Sequence, residues 1–235
     1  MKRLIVALVL PAVALATLSS CVLTPPGALV TETREISDVE AVVLEAAGDV
    51  IITLGTTPSL SITAGANAQK RLTAEVVDGV LVLGTTPGVD FGLGKVKYEL
   101  TVTSIQSVTI DGAGDVEADF AGADEIVVTV DGSGDMVGVN VDAKSVVTSI
   151  DGAGNVEFSG TTLEQSVSID GSGNYDASEL AAKNVTVTIS GAGKVDVQAS
   201  DTLDVGISGA GDVTYSGAAA VTQTSTGVGS VRLRD

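Results

Sequence analysis

Apolar and polar residues alternate with a period of two along most of this chain. The pattern is visible at Val42 and Leu44, at Val50, Ile52 and Leu54, at Leu60 and Ile62, at Val80 and Val82, and at Tyr98, Leu100 and Val102. This alternation predicts β-strands with one face turned to a core and the other to solvent. In "VVDGVLVL", Val76 to Leu83, Asp78-Gly79 separates two β-branched runs and predicts a tight hairpin turn. Only Ala66 to Leu72 reads as a helical turn.

A second regularity lies over the first. "TIDGAGDVE" from Thr109 returns as "TVDGSGDMV" from Thr129, "SIDGAGNVE" from Ser149, "SIDGSGNYD" from Ser168, "TISGAGKVD" from Thr188 and "GISGAGDVT" from Gly206. The first glycines stand at 112, 132, 152, 171, 191 and 209, with a degenerate seventh at Gly227, so each unit is 18 to 20 residues long. Such a period marks a stack of supersecondary units.

Aligning the motifs sorts the flanking residues into columns. Before the turn stand Val108 and Ile110, Val128 and Val130, Thr148 and Ile150, Val167 and Ile169, Val187 and Ile189, and Val205 and Ile207. After it stand Val116 and Ala118, Met136 and Gly138, Val156 and Phe158, Tyr175 and Ala177, Val195 and Val197, and Val213 and Tyr215. These are the inward faces of two strands joined by a Gly-x-Gly turn. Stacking each unit on its copy about 4.8 Å away gives an all-β parallel β-helix, a β-solenoid with coils of about 18–20 residues. On this reading glycine serves the turn twice, by allowing positive φ and by letting neighbouring turns approach closely. A propeller needs blades of about 40 residues, twice this period.

Composition narrows the picture. Aromatics are 3% of the 235 residues, Trp is absent and there are 28 glycines, which suits a narrow core of small side chains. With 12 basic against 30 acidic residues, the net charge of -18 argues against nucleic acid and anionic lipid as partners. The absence of histidine removes the Ser-His-Asp relay and any His-ligated zinc site.

The N-terminus reads as an export signal. Lys2 and Arg3 precede an apolar run from Leu4 to Leu18, too short to span a bilayer. "LSSC", Leu18 to Cys21, resembles the lipobox of bacterial lipoproteins, in which the cysteine is acylated and becomes the first mature residue. That assigns residues 1–20 to a signal peptide and the single cysteine, Cys21, to lipidation, with the membrane as partner through the anchor. By resemblance to Gram-negative sorting rules, Val22 in place of Asp implies the outer membrane. Residues 21–33, with Pro25, Pro26 and Gly27, read as the lipidated cysteine and a short tether, and residues 34–235 as the β-helix domain.

The succession "VEAVVLEAAGDVIITLG", "LSITAGANAQKRLTAEVVDGVLVL" and "YELTVTSIQSVTIDGAGDV", followed by the GSGD and GAGN motifs, resembles the head GIN domain family of autotransporter adhesins over roughly residues 34–235. The resemblance implies a right-handed parallel β-helix, exported or lipid-anchored, without enzymatic activity or cofactor. It implies a binding or scaffold surface whose ligand, protein or glycan, it does not name, and it transfers no site residues.

Two columns of turn residues are the remaining candidates for chemistry. One is Asp111, Asp131, Asp151 and Asp170; the other is Asp115, Asp135, Asn155, Asn174, Lys194 and Asp212. Neighbouring coils could bring two carboxylates to the spacing used by a glycosidase, so a carbohydrate-active enzyme on the same fold is the competing reading, with a purely structural envelope protein the third. Phe158, Tyr175 and Tyr215 fall on inward columns and read as core filling, not as sugar platforms. The drift of the second column to Asn and Lys argues against a calcium ladder, so no metal is expected and the chain is expected to fold without one. Gly-x-Gly here lacks the lysine and the helix of a phosphate loop.

Overall fold

Alternation and repetition together produce a β-solenoid. The computed structural model describes residues 26–87 and 92–234. The strands are β1 (Leu29–Arg34), β2 (Ala41–Leu44), β3 (Asp49–Leu54), β4 (Ser59–Gly65), β5 (Leu72–Val77), β6 (Val80–Thr85), β7 (Lys97–Val102), β8 (Ser107–Ile110) and β9 (Val116–Asp119). They continue as β10 (Glu125–Val130), β11 (Met136–Ile150), β12 (Asn155–Ile169), β13 (Asn174–Ile189), β14 (Lys194–Ile207), β15 (Asp212–Ser216), β16 (Ala220–Ser225) and β17 (Ser230–Leu233). A single helical turn, α1 (Ala66–Gln69), stands where the sequence places it.

One face of the solenoid stacks β6, β2, β8, β10, the later halves of β11 to β14, and β16, all parallel. The second stacks β7, β3, β9, the earlier halves of β11 to β14, β15 and β17, also parallel. Register follows the repeat: Val128 lies on Val108 and Thr148, and Val187 on Val167 and Val205. The inward columns are buried as expected, including Val108, Ile110, Val167, Ile169, Val187 and Ile189.

At the N-terminal end the order in space departs from the order in sequence. The coil made by β2 and β3 is sandwiched between β6–β7, which come later in the chain, and β8–β9. The chain reaches that outer coil through the β5–β6 hairpin, whose turn holds Asp78 at φ 52° and Gly79 at φ 81°. Antiparallel β4 and β1 finish one face and antiparallel β5 finishes the other, so the parallel stack ends in a cap.

The reason for glycine in the turn is narrower than the sequence suggests. None of the glycines in the seven aligned motifs is among the positive-φ residues; the left-handed glycines of the described residues stand elsewhere, as at Gly122 and Gly217. What the turn demands is closeness. A Cβ on Gly132 would lie 1.9 Å from the carbonyl oxygen of Gly112, and one on Gly134 would lie 1.9 Å from that of Gly114. Each turn also donates to the one before it, Gly132 N to Ile110 O at 3.0 Å and Ser133 N to Gly112 O at 3.1 Å, and these bonds require that approach.

A third side appears in the later coils, beyond the two strands that the repeat defines. Strands β11 to β14 run on past the second face through bulges, and Val141–Ala143 pairs with Gly160–Thr162, which pairs in turn with Leu180–Ala182. Gln198 and Ala199 complete this ladder.

The core holds an aromatic ladder, with Phe120 and Phe158 centroids 6.0 Å apart and Phe158 and Tyr175 6.1 Å apart. Gly138 is small because Phe158 takes its space: a Cβ there would meet the ring at 2.3 Å. Phe158 and Tyr175 are buried, as their columns require, and Tyr215 packs half-buried on the core near the C-terminal end. Gln165 Nε2 donates to the Tyr175 hydroxyl at 2.8 Å, a polar contact inside the stack that no column pattern announces.

Candidate functional site

The turn columns lie at the corner between the first and second faces, and both are exposed. In the column of Asp115 the short acceptor side chain receives a donor from the following coil. Asp135 N donates to Asp115 Oδ1 at 3.0 Å, and Asn155 donates to Asp135 Oδ1 through its backbone N at 2.9 Å and Nδ2 at 2.8 Å. Asn174 Nδ2 donates to Asn155 Oδ1 at 2.8 Å, and Lys194 N to Asn174 Oδ1 at 3.1 Å. Asp and Asn recur here because both accept at short range, so the column fastens one coil to the next and is more than a solvated turn. Asp212 continues it by accepting from Ser230, and that side-chain bond, with Arg232 and Lys194 nearby, holds its carboxyl below the usual range.

The other column has no such donors. Asp111, Asp131 and Asp151 follow strands in strict register, one coil apart. Desolvation first, and then Asp111 and Asp151, raise the Asp131 carboxyl. No cluster of three potential metal ligands occurs among the described residues. Cys21, the predicted lipidation residue, lies outside the described residues.

The site that column reasoning missed is the third side of the coil, away from the turn. Its middle column, Ala143, Thr162, Ala182 and Ala199, is buried and small, and forms a floor. Asp142, Thr161, Ala181 and Gln198 make one wall; Lys144, Leu163, Lys183 and Ser200 make the other. The result is an open groove of about 480 Å³ that runs along the solenoid axis over three coil steps, about 14 Å. Thr161 donates to Asp142 at 3.0 Å across adjacent coils, and Leu163 is 45% exposed. Lys144 meets Asp124 one coil below at 2.7 Å, an exposed pair that raises its ammonium pKa through that hydrogen bond and charge. The available signal was the alternation of Leu180 with Ala182 and Val141 with Ala143, with Ala143, Thr162 and Ala182 each nine residues before the next turn's first glycine; bulges obscure it when the count starts from the preceding turn.

No helix among the described residues is long and apolar enough to cross a membrane. Among solved structures, the fold is similar to a "putative adhesin" of Bacteroides fragilis, with a TM-score of 0.85 and 20% identity over 90% of this chain and 100% of that one. It is similar to a "putative adhesin" of Parabacteroides merdae, TM-score 0.69 and 22% identity over 90% and 98% of the two chains. A "putative lipid binding protein" of Parabacteroides distasonis shares the fold at TM-score 0.69 and 20% identity, over 89% and 98%. No curated protein matches the chain. Residues 38–219 match the family described as "Putative auto-transporter adhesin, head GIN domain", and the chain belongs to that family.

Proposed function

We propose that this is an exported protein of the bacterial envelope, acylated at Cys21 and held at the outer membrane, whose solenoid is a non-enzymatic, adhesin-like binding module with the lateral groove as its contact surface. The groove carries the binding reading: it is long and open, and its floor is a ladder of strand segments from four successive coils. One carboxylate, Asp142, lines it, whereas glycoside hydrolysis uses two. The large aromatics Tyr98, Phe120, Phe158 and Tyr175 are committed to the core.

The anchor reading rests on the apolar run ahead of Leu18-Ser19-Ser20-Cys21 and on the single cysteine. It has a geometric consequence. Five residue steps from Cys21 to Pro26 reach at most about 18 Å, and Pro26 O accepts from Asn67 N in α1. An acylated Cys21 would therefore hold the N-terminal cap close to the bilayer, with the groove several coils further along the axis. Fractionation tests the anchor: Cys21→Ala is expected to move the protein from the membrane pellet to the soluble fraction, and retention in the pellet after a carbonate wash would refute it. For the binding surface, beads coated with the soluble chain and with Ala181→Trp, a bulky change at an exposed wall position, are compared for attachment to cells. Equal attachment would remove the groove from the account.

A further inference from the structure

The groove's wall carries information about what it binds. Between Lys97 and Lys194 the chain has two basic side chains, Lys144 and Lys183, while carboxylates occur in every coil of that stretch. Both lysines stand on the same wall of the groove. Register places Lys144, Leu163 and Lys183 on successive coils, because Ala143, Thr162 and Ala182 beside them are paired in that order. The two ammonium groups are thus rooted two coil steps apart, about 10 Å, with the exposed Leu163 between them. Lys144 is engaged by Asp124, whereas Lys183 makes no ion pair among the described residues. The facing wall carries one carboxylate, Asp142, which accepts from Thr161; on a chain of net charge -18, the wall of Lys144 and Lys183 is the side of the groove complementary to negative charge, and Lys183 is its unpaired cation among the described residues.

The geometry points to an acidic glycan as the ligand: an extended oligosaccharide with carboxylates on alternate residues, lying along the groove with one carboxylate at Lys183. This inference rests on the groove being the contact surface. Three features select this class. The groove runs along the solenoid axis, across the strands beneath it, and its two middle rungs, Gly160–Thr162 and Leu180–Ala182, are paired on both sides, so an extended peptide lying in it joins no ladder. Sugar rings can lay their C–H faces on Ala181 and Leu163 and turn their hydroxyls to Thr161, Gln198, Ser200 and water. The long-range field of the acidic chain opposes a densely charged polyanion such as nucleic acid, whereas a sparse carboxylate spacing suits lysines separated by an uncharged residue.

The test uses two oligosaccharides of equal length, a hyaluronan hexasaccharide with a carboxylate on every second sugar and uncharged chitohexaose, titrated calorimetrically into the soluble chain. Hyaluronan is expected to bind at least tenfold more tightly than chitohexaose. Lys183→Gln should weaken it about tenfold, Lys183→Arg should retain it, and Ala181→Trp should abolish it with the melting temperature unchanged. Equal binding of both sugars, blocked by Ala181→Trp, would overturn the acidic class and leave the groove as the contact surface. Failure of hyaluronan to bind, or binding indifferent to both Lys183→Gln and Ala181→Trp, would overturn the proposal outright.

Discussion

Asp131→Asn is expected to stabilise the protein at neutral pH. Asp131 stands between Asp111 and Asp151 in register, and no donor from a neighbouring coil is directed at any of the three, unlike the column of Asp115. At one coil spacing, about 4.8 Å, two unit charges in water repel by about 0.9 kcal/mol. A Debye length of about 8 Å at physiological ionic strength cuts each pair to roughly 0.5 kcal/mol. Two neighbours then cost about 1 kcal/mol, and because exposed carboxylates swing apart, the net gain should be about 0.5–1 kcal/mol. An asparagine can also donate to a neighbouring aspartate, as Asn155 Nδ2 does to Asp135. For a domain of this size the gain corresponds to roughly 1–4 °C in melting temperature.

The pH dependence gives the sharper test. The Asp131 carboxyl titrates above its ordinary value of 3.8 in the folded protein, so the folded state takes up this proton more readily than the unfolded chain. The associated stability is full below the unfolded value and is lost as pH rises through the folded one. Wild type and variant should therefore melt together near pH 3 and separate towards pH 7. Asp38, lowered by its hydrogen bonds from Thr103, and Asp212, lowered by Ser230, act in the opposite sense: their contribution is present above 3.8 and fades as pH falls through their lowered values. Calorimetric melts from pH 3 to 7.5 at low and high salt measure the difference. An Asn variant no more stable than wild type at pH 7 and low salt, or a gap that fails to shrink towards acid, would refute the repulsion.

The stacked coils set two further outcomes. Gly132→Ala should lower stability by several kcal/mol, since its Cβ would sit 1.9 Å from a backbone oxygen, whereas Gly122→Ala, with open space but φ of 81°, should cost about 1 kcal/mol; equal losses in urea melts would show that stacking distance is not what the turn glycine serves. Ile169→Asp should unfold or severely destabilise the chain by placing an unpaired charge in the core, while Ser168→Asp on the outer face should be tolerated, and similar melting temperatures would contradict the two-face assignment.

Much of the fold could be read in advance because a solenoid repeats its local rules. Once Val167 and Ile169 are assigned inward, register carries the assignment to Val187 and Ile189 and to Val205 and Ile207. The interleaving of β2–β3 between β6–β7 and β8–β9 was not legible, because the motif is degenerate there. Its turn is Ala46-Ala47-Gly48, and the stacking that identifies it, a Gly112 Cβ 2.1 Å from Ala46 O, exists only in three dimensions. The role of glycine was half legible. Positive φ and close approach leave the same residue in the sequence, and only the folded backbone separates them.

The groove was missed, for a related physical reason, by counting from the turn that precedes it. Columns on the first two faces are held in phase by a turn of constant length, so alignment on Gly-x-Gly keeps inward residues aligned. The third side lies beyond bulges at Gly138/Val141, Glu157/Ser159 and Ala177/Ala181 that differ in length, and each bulge shifts the phase of the residues after it relative to the preceding turn. Counted forward from the preceding turn, Ala143, Thr162, Ala182 and Ala199 therefore share no single offset; only counting back from the next turn aligns them, with Ala143, Thr162 and Ala182 nine residues before its first glycine and Ala199 ten. The same freedom lets this side vary while the turn stays fixed. A turn glycine that changes meets a backbone oxygen at about 2 Å, whereas Lys183, exposed on the wall, meets only solvent and whatever occupies the groove. A contact surface can diversify where the stack tolerates change, and in this chain that is the bulged side rather than the repeated turn.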